Sequence, residues 1–164
     1  MRLVPSLAWV PGPSPLQLTS QQVSDVIDMF WHETGEVYAE ASLRHLPVPE
    51  WNANLLLVDL EQKEPRQVLG VTWAVPFKDN IVRMAAIVIS APFQNQGWGG
   101  RAWDIFRREA YQHGFRFVQL EVKADNIDAQ RFYQARGLTV QQRLEGYYQS
   151  GLGYMMRGPL AIPE

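Results

Sequence analysis

The sequence contains no cysteine. Disulfides, thiolate metal ligands and a cysteine acyl-enzyme are therefore excluded. Histidine is scarce, and His32, His45 and His113 fall at spacings that make no metal motif. No apolar run approaches the ~20 residues that a bilayer-spanning helix needs. Charge of one sign is also missing: 15 basic residues face 17 acidic ones, for a formal net charge of −2. No electrostatic argument then favours nucleic acid or an anionic membrane as a partner. The expectation is a cytoplasmic protein without a metal, a nucleic-acid partner or a membrane anchor.

What is present is a chain of 164 residues, 46% apolar, which suits one sizeable core. "PGPSP" (Pro11 to Pro15) is the only linker-like cluster. It divides an expected extended arm, residues 1–15, from an expected single domain, residues 16–164. Val23, Val26, Ile27 and Phe30 share one helical face behind an N-cap at Thr19 or Ser20. A weaker helix is expected over Val37 to Leu46, stopped by Pro47 and Pro49. Strands are expected at Asn54–Leu60, Gln67–Val75 and Ile81–Ile89, with "PFKDN" as a turn between the last two.

After Gly97, the residues Trp98, Ala102, Ile105 and Phe106 recur at helical spacing up to Gly114. "FRFVQLEV" (Phe115 to Val122) returns to a period of two, with Val118, Leu120 and Val122 on one side and Phe117, Gln119 and Glu121 on the other. Asp125 or Asn126 can cap a short helix that ends near Gly137. Two last strands are expected at Thr139–Glu145 and Tyr154–Leu160. The fold class expected is a mixed α/β domain, an antiparallel meander followed by one parallel strand–helix–strand crossover.

The turn "QNQGWGGR" (Gln94 to Arg101) raises the chemical question. Three glycines within four positions, at a helix start, suit the close approach of an anion to backbone amides. Three phosphate motifs compete for it. A nucleoside-triphosphate loop needs Gly-Lys-Ser/Thr, which is missing. Gly97-Trp98-Gly99-Gly100-Arg101-Ala102 satisfies G-x-G-x-x-A, but Pro92 and several polar residues separate it from its strand, and Glu121 lies inside the next strand rather than at its end. Gln94-Asn95-Gln96-Gly97-Trp98-Gly99 reads as Q-x-x-G-x-G. That pattern resembles the acyl-CoA pyrophosphate loop of the GCN5-related N-acetyltransferase (GNAT) family.

The resemblance continues in "LEVKADNIDAQRFYQARGL" (Leu120 to Leu138), where Asn126, Ala129, Tyr133 and Gly137 fall on the family's offsets. It covers roughly Ile81 to Leu160. The tail "LEGYYQSGLGYMMRGPL" is similar to the end of enzymes that acetylate protein N-termini, including the ribosomal-protein alanine acetyltransferases. Tyr147, Tyr148, Gly151, Met156 and Leu160 fit that pattern. Leu152 and Gly153 depart from it, because two acids usually follow that glycine.

The resemblance implies a GNAT-like fold and acetyl-CoA as cosubstrate. It implies direct transfer of the acetyl group to a primary amine, either of a protein or peptide or of a small molecule. A third possibility is an acyl-CoA sensor without catalysis. It places the pantetheine amides against the backbone of Ile87, Val88 and Ile89 and beside Asn126. It places the pyrophosphate on Gln94, Asn95, Gln96, Gly97, Trp98, Gly99, Gly100 and Arg101. Glu121 takes the position of a general base and Tyr133 that of the acid beside the departing thiolate, while Tyr147 and Tyr148 are candidates to wall the acceptor pocket. Oligomeric state is not legible.

The chemistry sets limits on these roles. The attacking amine must be neutral, and an α-amine with a pKa of about 7.7–8.0 meets that condition far more easily than a lysine near 10.4. Full proton transfer from a phenol near 10 to a thiolate near 8.5 is uphill by roughly 2 kcal/mol. Tyr133 is therefore expected to act mainly as a hydrogen-bond donor.

Overall fold

The computed structural model describes residues 5–148 and 151–160, the side chains of Tyr147 and Tyr148 excepted. Seven strands form one mixed sheet in the order β1-β2-β3-β4-β5-β7-β6. They are β1 (Leu7–Pro11), β2 (Leu55–Asp59), β3 (Gly70–Lys78), β4 (Ile81–Ile89), β5 (Phe117–Lys123), β6 (Thr139–Tyr148) and β7 (Gly151–Pro159). The helices among the described residues are α1 (Ser20–Thr34), α2 (Glu40–Arg44), α3 (Trp98–Gln112) and α4 (Ile127–Gln134). This is the mixed α/β class expected, with the meander first and the parallel step after it.

The chain divides into two compact units, residues 1–74 with 86–106, and residues 75–85 with 107–164. In the first, β1 pairs antiparallel with β2, and β2 with β3. All five residues of β2 are buried, which is why its sequence is a near-continuous apolar run. The segment expected as an extended arm thus contains β1, which takes an outer place in the sheet. α1 starts at Thr19 with a full capping box: Thr19 accepts from the Gln22 amide, and the Gln22 side chain accepts from Thr19. It runs to Thr34 and stops at Gly35 in the left-handed region. Phe30 on its buried face meets Trp73 edge-on, ring centroids 5.8 Å apart. The second helix, α2, keeps only the middle of the span expected for it.

In the second unit, β5 lies parallel to β4 through Ile81–Phe117, Val82–Val118 and Arg83–Gln119. On its other side β5 pairs antiparallel with β7 over seven residues, and β6 pairs with β7 through two irregularities. Val118, Leu120 and Val122 are buried, as the period of two required. A Cβ on Gly158 would lie 2.5 Å from the carbonyl oxygen of Gly137. Only glycine permits that approach of two backbones.

Two expectations are corrected. β3 continues through Val75–Lys78, and the turn is confined to Asp79 and Asn80. Pro76 does not break the strand because the pairing of β3 with β2 ends at Thr72, leaving an exposed strand end that needs no proline N–H. On α3 the buried face is Ala102, Trp103, Phe106 and Ala110, whereas Ile105 is exposed. The stripe therefore keeps Ala102 and Phe106 and is rotated by about 70°, a fifth of a turn, from the one drawn through Ile105.

Candidate active site

In the first unit, β4 ends at Ile89 and the chain passes through a short 3₁₀ turn, Ala91–Phe93, before α3 begins at Trp98. Asn95 (φ 60°) and Gly97 (φ 88°) both hold left-handed backbone conformations. Glycine has no penalty there, and asparagine tolerates the region better than most residues. The first intrahelical bond runs from the Arg101 N–H to the Gly97 carbonyl, 3.1 Å. The amides of Trp98, Gly99 and Gly100 thus have no acceptor within their own helix. They form the positive end of a fifteen-residue helix, a natural seat for pyrophosphate oxygens.

The loop's glutamines turn inward rather than toward a ligand. Gln94 Nε2 donates to the Ile89 carbonyl (2.7 Å) and to Glu33 Oε1 (2.9 Å). Gln96 Nε2 donates to the Pro92 carbonyl, 3.0 Å. The conspicuous glutamine of the motif is a staple across its own turn. Two residues that sequence reasoning missed complete the frame. Glu33, in the last turn of α1, takes the Gln94 amide on one oxygen and the Ala91 N–H on the other (3.2 Å). Trp9 on β1 donates from Nε1 to the Trp98 carbonyl, 2.9 Å. Glu33 lies 61 positions from Gln94, and no local pattern joins them. Arg101 stacks its guanidinium over the Trp98 ring at 4.6 Å. Of Ile87, Val88 and Ile89, Val88 is buried and the other two are half-buried.

In the second unit, β5 presents Glu121 opposite Leu120 and Val122, as expected. The carboxylate is ion-paired: Arg83 Nε donates to Glu121 Oε1 at 2.7 Å, and Nη2 approaches the same oxygen at 2.5 Å. Arg83 on β4 reaches across from its partner Gln119, one pleat down β5. This ion pair fixes the direction of the carboxylate, and nothing in the sequence pattern announced it.

α4 follows β5 after a short turn. Asn126 caps it, its side chain accepting from the Ala129 amide at 3.1 Å. That bond uses one acceptor and leaves the Asn126 amide NH₂ to other partners. Gln130, buried beneath, donates to the Lys123 and Ala124 carbonyls and ties the helix start to the end of β5. Tyr133 is packed edge-on against Phe132, centroids 5.5 Å apart. Burial pushes its phenol up to about 12. Tyr133 is therefore protonated at every physiological pH. Against a thiol near 8.5, full transfer of its proton is uphill by about 5 kcal/mol, so it can donate a hydrogen bond but not surrender the proton cheaply.

The candidates Tyr147 and Tyr148 stand at the end of β6, and their side chains lie outside the described residues. Among the described residues no group of three or more His, Cys, Asp or Glu is placed to hold a metal ion. No helix of the described residues is long and apolar enough to cross a membrane.

No curated protein matches the sequence at a significant level. Solved structures match it throughout. Ard1 from Thermoplasma volcanium superposes with a TM-score of 0.78 at 20% identity, covering 96% of this chain and 99% of that one. The ribosomal-protein-S18-alanine N-acetyltransferase from Escherichia coli gives 0.69 at 15% identity, covering 96% of each chain. Arabidopsis thaliana Naa50, solved with a bisubstrate analogue, gives 0.70 at 14% identity, covering 93% of this chain and 97% of that one. At these identities the likeness speaks for the fold. The acetyltransferase (GNAT) family model matches residues 23–138, which hold the glycine turn, Glu121 and Tyr133. The chain belongs to the GNAT family of acetyltransferases, with acetyl-CoA as its cosubstrate.

Proposed function

We propose that the acceptor is the N-terminal amine of a protein or peptide, and that Glu121 and Tyr133 handle the two ends of the transfer. The observation that carries this reading is a half-buried tyrosine with a desolvated phenol and a fixed carboxylate on consecutive elements, α4 and β5. The family resemblance gives these positions the acid and base roles, and the tail pattern Tyr147, Tyr148, Gly151, Met156 supports the choice of acceptor. Two neighbours support it too: one is named a ribosomal-protein-S18-alanine N-acetyltransferase, and Naa50 was solved with the bisubstrate analogue CoA-Ac-MVNAL.

The amine nitrogen attacks the thioester carbonyl, a C–N bond forms and the C–S bond breaks. The amine gives up one proton and the sulfur leaves as thiolate. Glu121, directly or through one water, accepts the amine proton. Tyr133 stabilises the thiolate by donation without ionising, and solvent supplies the proton that makes the free thiol. The amides of Trp98, Gly99 and Gly100 receive the pyrophosphate, with Gln94 to Gly97 shaping the loop. The backbone of Ile87 to Ile89, past the end of the parallel register, pairs with the pantetheine amides, and Asn126 lies beside that arm. The family resemblance makes Tyr147 and Tyr148 the candidates for the acceptor pocket. An α-amine with a pKa of about 7.7–8.0 is already neutral in a useful fraction at pH 7, which lightens the task of the base.

The test is acetyl-CoA turnover with three acceptor sets: peptides with free N-termini, Nα-blocked peptides carrying lysine, and small polyamines. Mass spectrometry locates the added acetyl group. Acetylation of the terminal amine in the first set is the expected result. Preference for polyamines, or CoA binding without turnover in any set, would overturn the assignment.

A further inference from the structure

One arginine of the second unit is bonded to a neutral side chain. Arg157 on β7 is half-buried, and its fork closes on a neutral group. Its Nε and Nη2 both donate to Gln119 Oε1, at 3.1 and 2.5 Å. Among the described residues no carboxylate forms an ion pair with it. Gln119 is itself buried, 9% exposed. A half-buried guanidinium whose bonds go to an amide oxygen keeps its charge and several further N–H donors for another partner.

Its setting makes the charge useful. Arg157 stands opposite Gln119 in the β5–β7 register, and Arg83 stands opposite the same Gln119 in the β4–β5 register. Two guanidiniums thus flank one residue of β5, and Arg83 holds the Glu121 carboxylate. Gln119 and Glu121 are two apart on the strand. They share a face and lie about 7 Å apart along it. The cluster Arg83, Glu121, Gln119, Arg157 carries two positive charges and one negative, in partial burial where a second anion is held strongly.

We infer that Arg157 is an anion-recognising residue of the acceptor site, and that the preferred acceptor amine carries a carboxylate. The inference rests on the reading of Glu121 as the group that meets the amine. About 7 Å is the span from a terminal amine to an acidic group on the second residue of an extended peptide, and an acidic first residue falls short of it by an amount that a long arginine side chain can reach across. A planar fork takes a carboxylate in a bidentate grip, and on binding Arg157 exchanges the neutral Gln119 oxygen for a charged partner. The amide of Gln119, released, is a second donor to the same anion. An amine-bearing acid of small size offers the same chemistry.

The experiment uses matched acceptors: peptides with Asp or Glu against Asn or Gln at the first or second position, and free glutamate against glutamine as the small-molecule arm. For the native chain, kcat/KM should favour the acidic member. In Arg157→Gln the acidic-to-amide ratio should fall by about 10- to 100-fold, the worth of a charge-assisted hydrogen-bonded pair, mainly through KM. Arg157→Lys should restore part of the ratio, and the acidic preference should weaken with added salt. Melting temperature and CoA affinity report whether the variants fold. Calorimetric binding of the same peptides to the CoA-loaded protein gives the ratio without turnover. If the peptides bind with the acidic preference but are not acetylated, the anion site stands and the N-terminal acetyltransferase reading fails. If they are acetylated with the same acidic-to-amide ratio in native and Arg157→Gln proteins, the reading stands and the anion site is overturned.

Discussion

The glycine turn of the first unit and the β5–α4 pair of the second are built on opposite principles. The turn offers backbone. Its functional groups are amides at a helix start, and its side chains are spent on holding the loop: Gln94 on Ile89, Gln96 on Pro92, Glu33 on both Gln94 and Ala91, and Trp9 on Trp98. The β5–α4 pair offers side chains. Here the backbone is ordinary strand and helix, and the proposed chemistry falls to a carboxylate fixed by Arg83 and a phenol whose proton is retained by desolvation. A binding loop of the first kind loses function when its geometry loosens, whereas a site of the second kind loses function when one atom is removed. The two should therefore fail differently under mutation: the first in affinity for CoA, the second in rate.

The largest effect expected is in the second site. Tyr133→Phe keeps the ring against Phe132 and deletes one oxygen. Loss of a positioned donor to a developing anion typically costs about 10²–10³ in rate, so kcat should fall by that order while calorimetry finds unchanged CoA affinity. A fall in CoA affinity that accounts for the lost activity would erase the distinction between the sites.

Next comes Gly97→Val in the first site. At φ 88° a β-branched residue is strained by about 1–3 kcal/mol, and the loop must shift to relieve it. The CoA dissociation constant should rise about 10-fold or more in folded protein, with kcat at saturation less affected. Glu33→Ala should act in the same direction but less, about 3- to 10-fold, because it removes two hydrogen bonds that only position the loop. Glu33→Gln retains one acceptor and should fall between. Equal affinities for all three proteins would show that the clamp is decorative.

The smallest effect is spectroscopic. Because burial raises Tyr133 to about 12, its phenolate should be missing from the near-ultraviolet titration below pH ~11. The difference between native protein and Tyr133→Phe should grow in only above that pH. The linked stability follows in sign: a protonated group favoured by the fold contributes fully below pH ~10, and its contribution is lost as the pH climbs toward about 12. A difference signal already complete at pH 10 would mean that the phenol is not desolvated.

The contrast also explains what was legible in the sequence. The loop's conformation could be read because left-handed backbone before a helix start favours glycine, and α4, which carries Tyr133, could be read from its cap at Asn126. The supports could not. Glu33, Arg83 and Arg157 are ordinary surface-type residues, and each acquires its role from a partner 38 to 61 positions away in the chain. The core face of α3 was partly misread for a similar reason. Ile105 and Trp103 fit a helical stripe almost equally well, and packing chose the tryptophan, whose ring meets Phe106 at 5.2 Å. Pro76 misled because a proline marks a strand's end only where the missing N–H has a partner waiting.

The most direct test of the account is the pH–rate profile of Glu121→Gln on a peptide with a free N-terminus. If Glu121 takes the proton from the amine, the variant should be slower by about 10²–10⁴-fold at pH 6.5, and its deficit should shrink steadily as the pH approaches the α-amine's pKa of about 7.7–8.0, where the nucleophile arrives neutral unaided. Parallel profiles for the two proteins across that range would contradict it, and would assign the neutral amine to solvent rather than to Glu121.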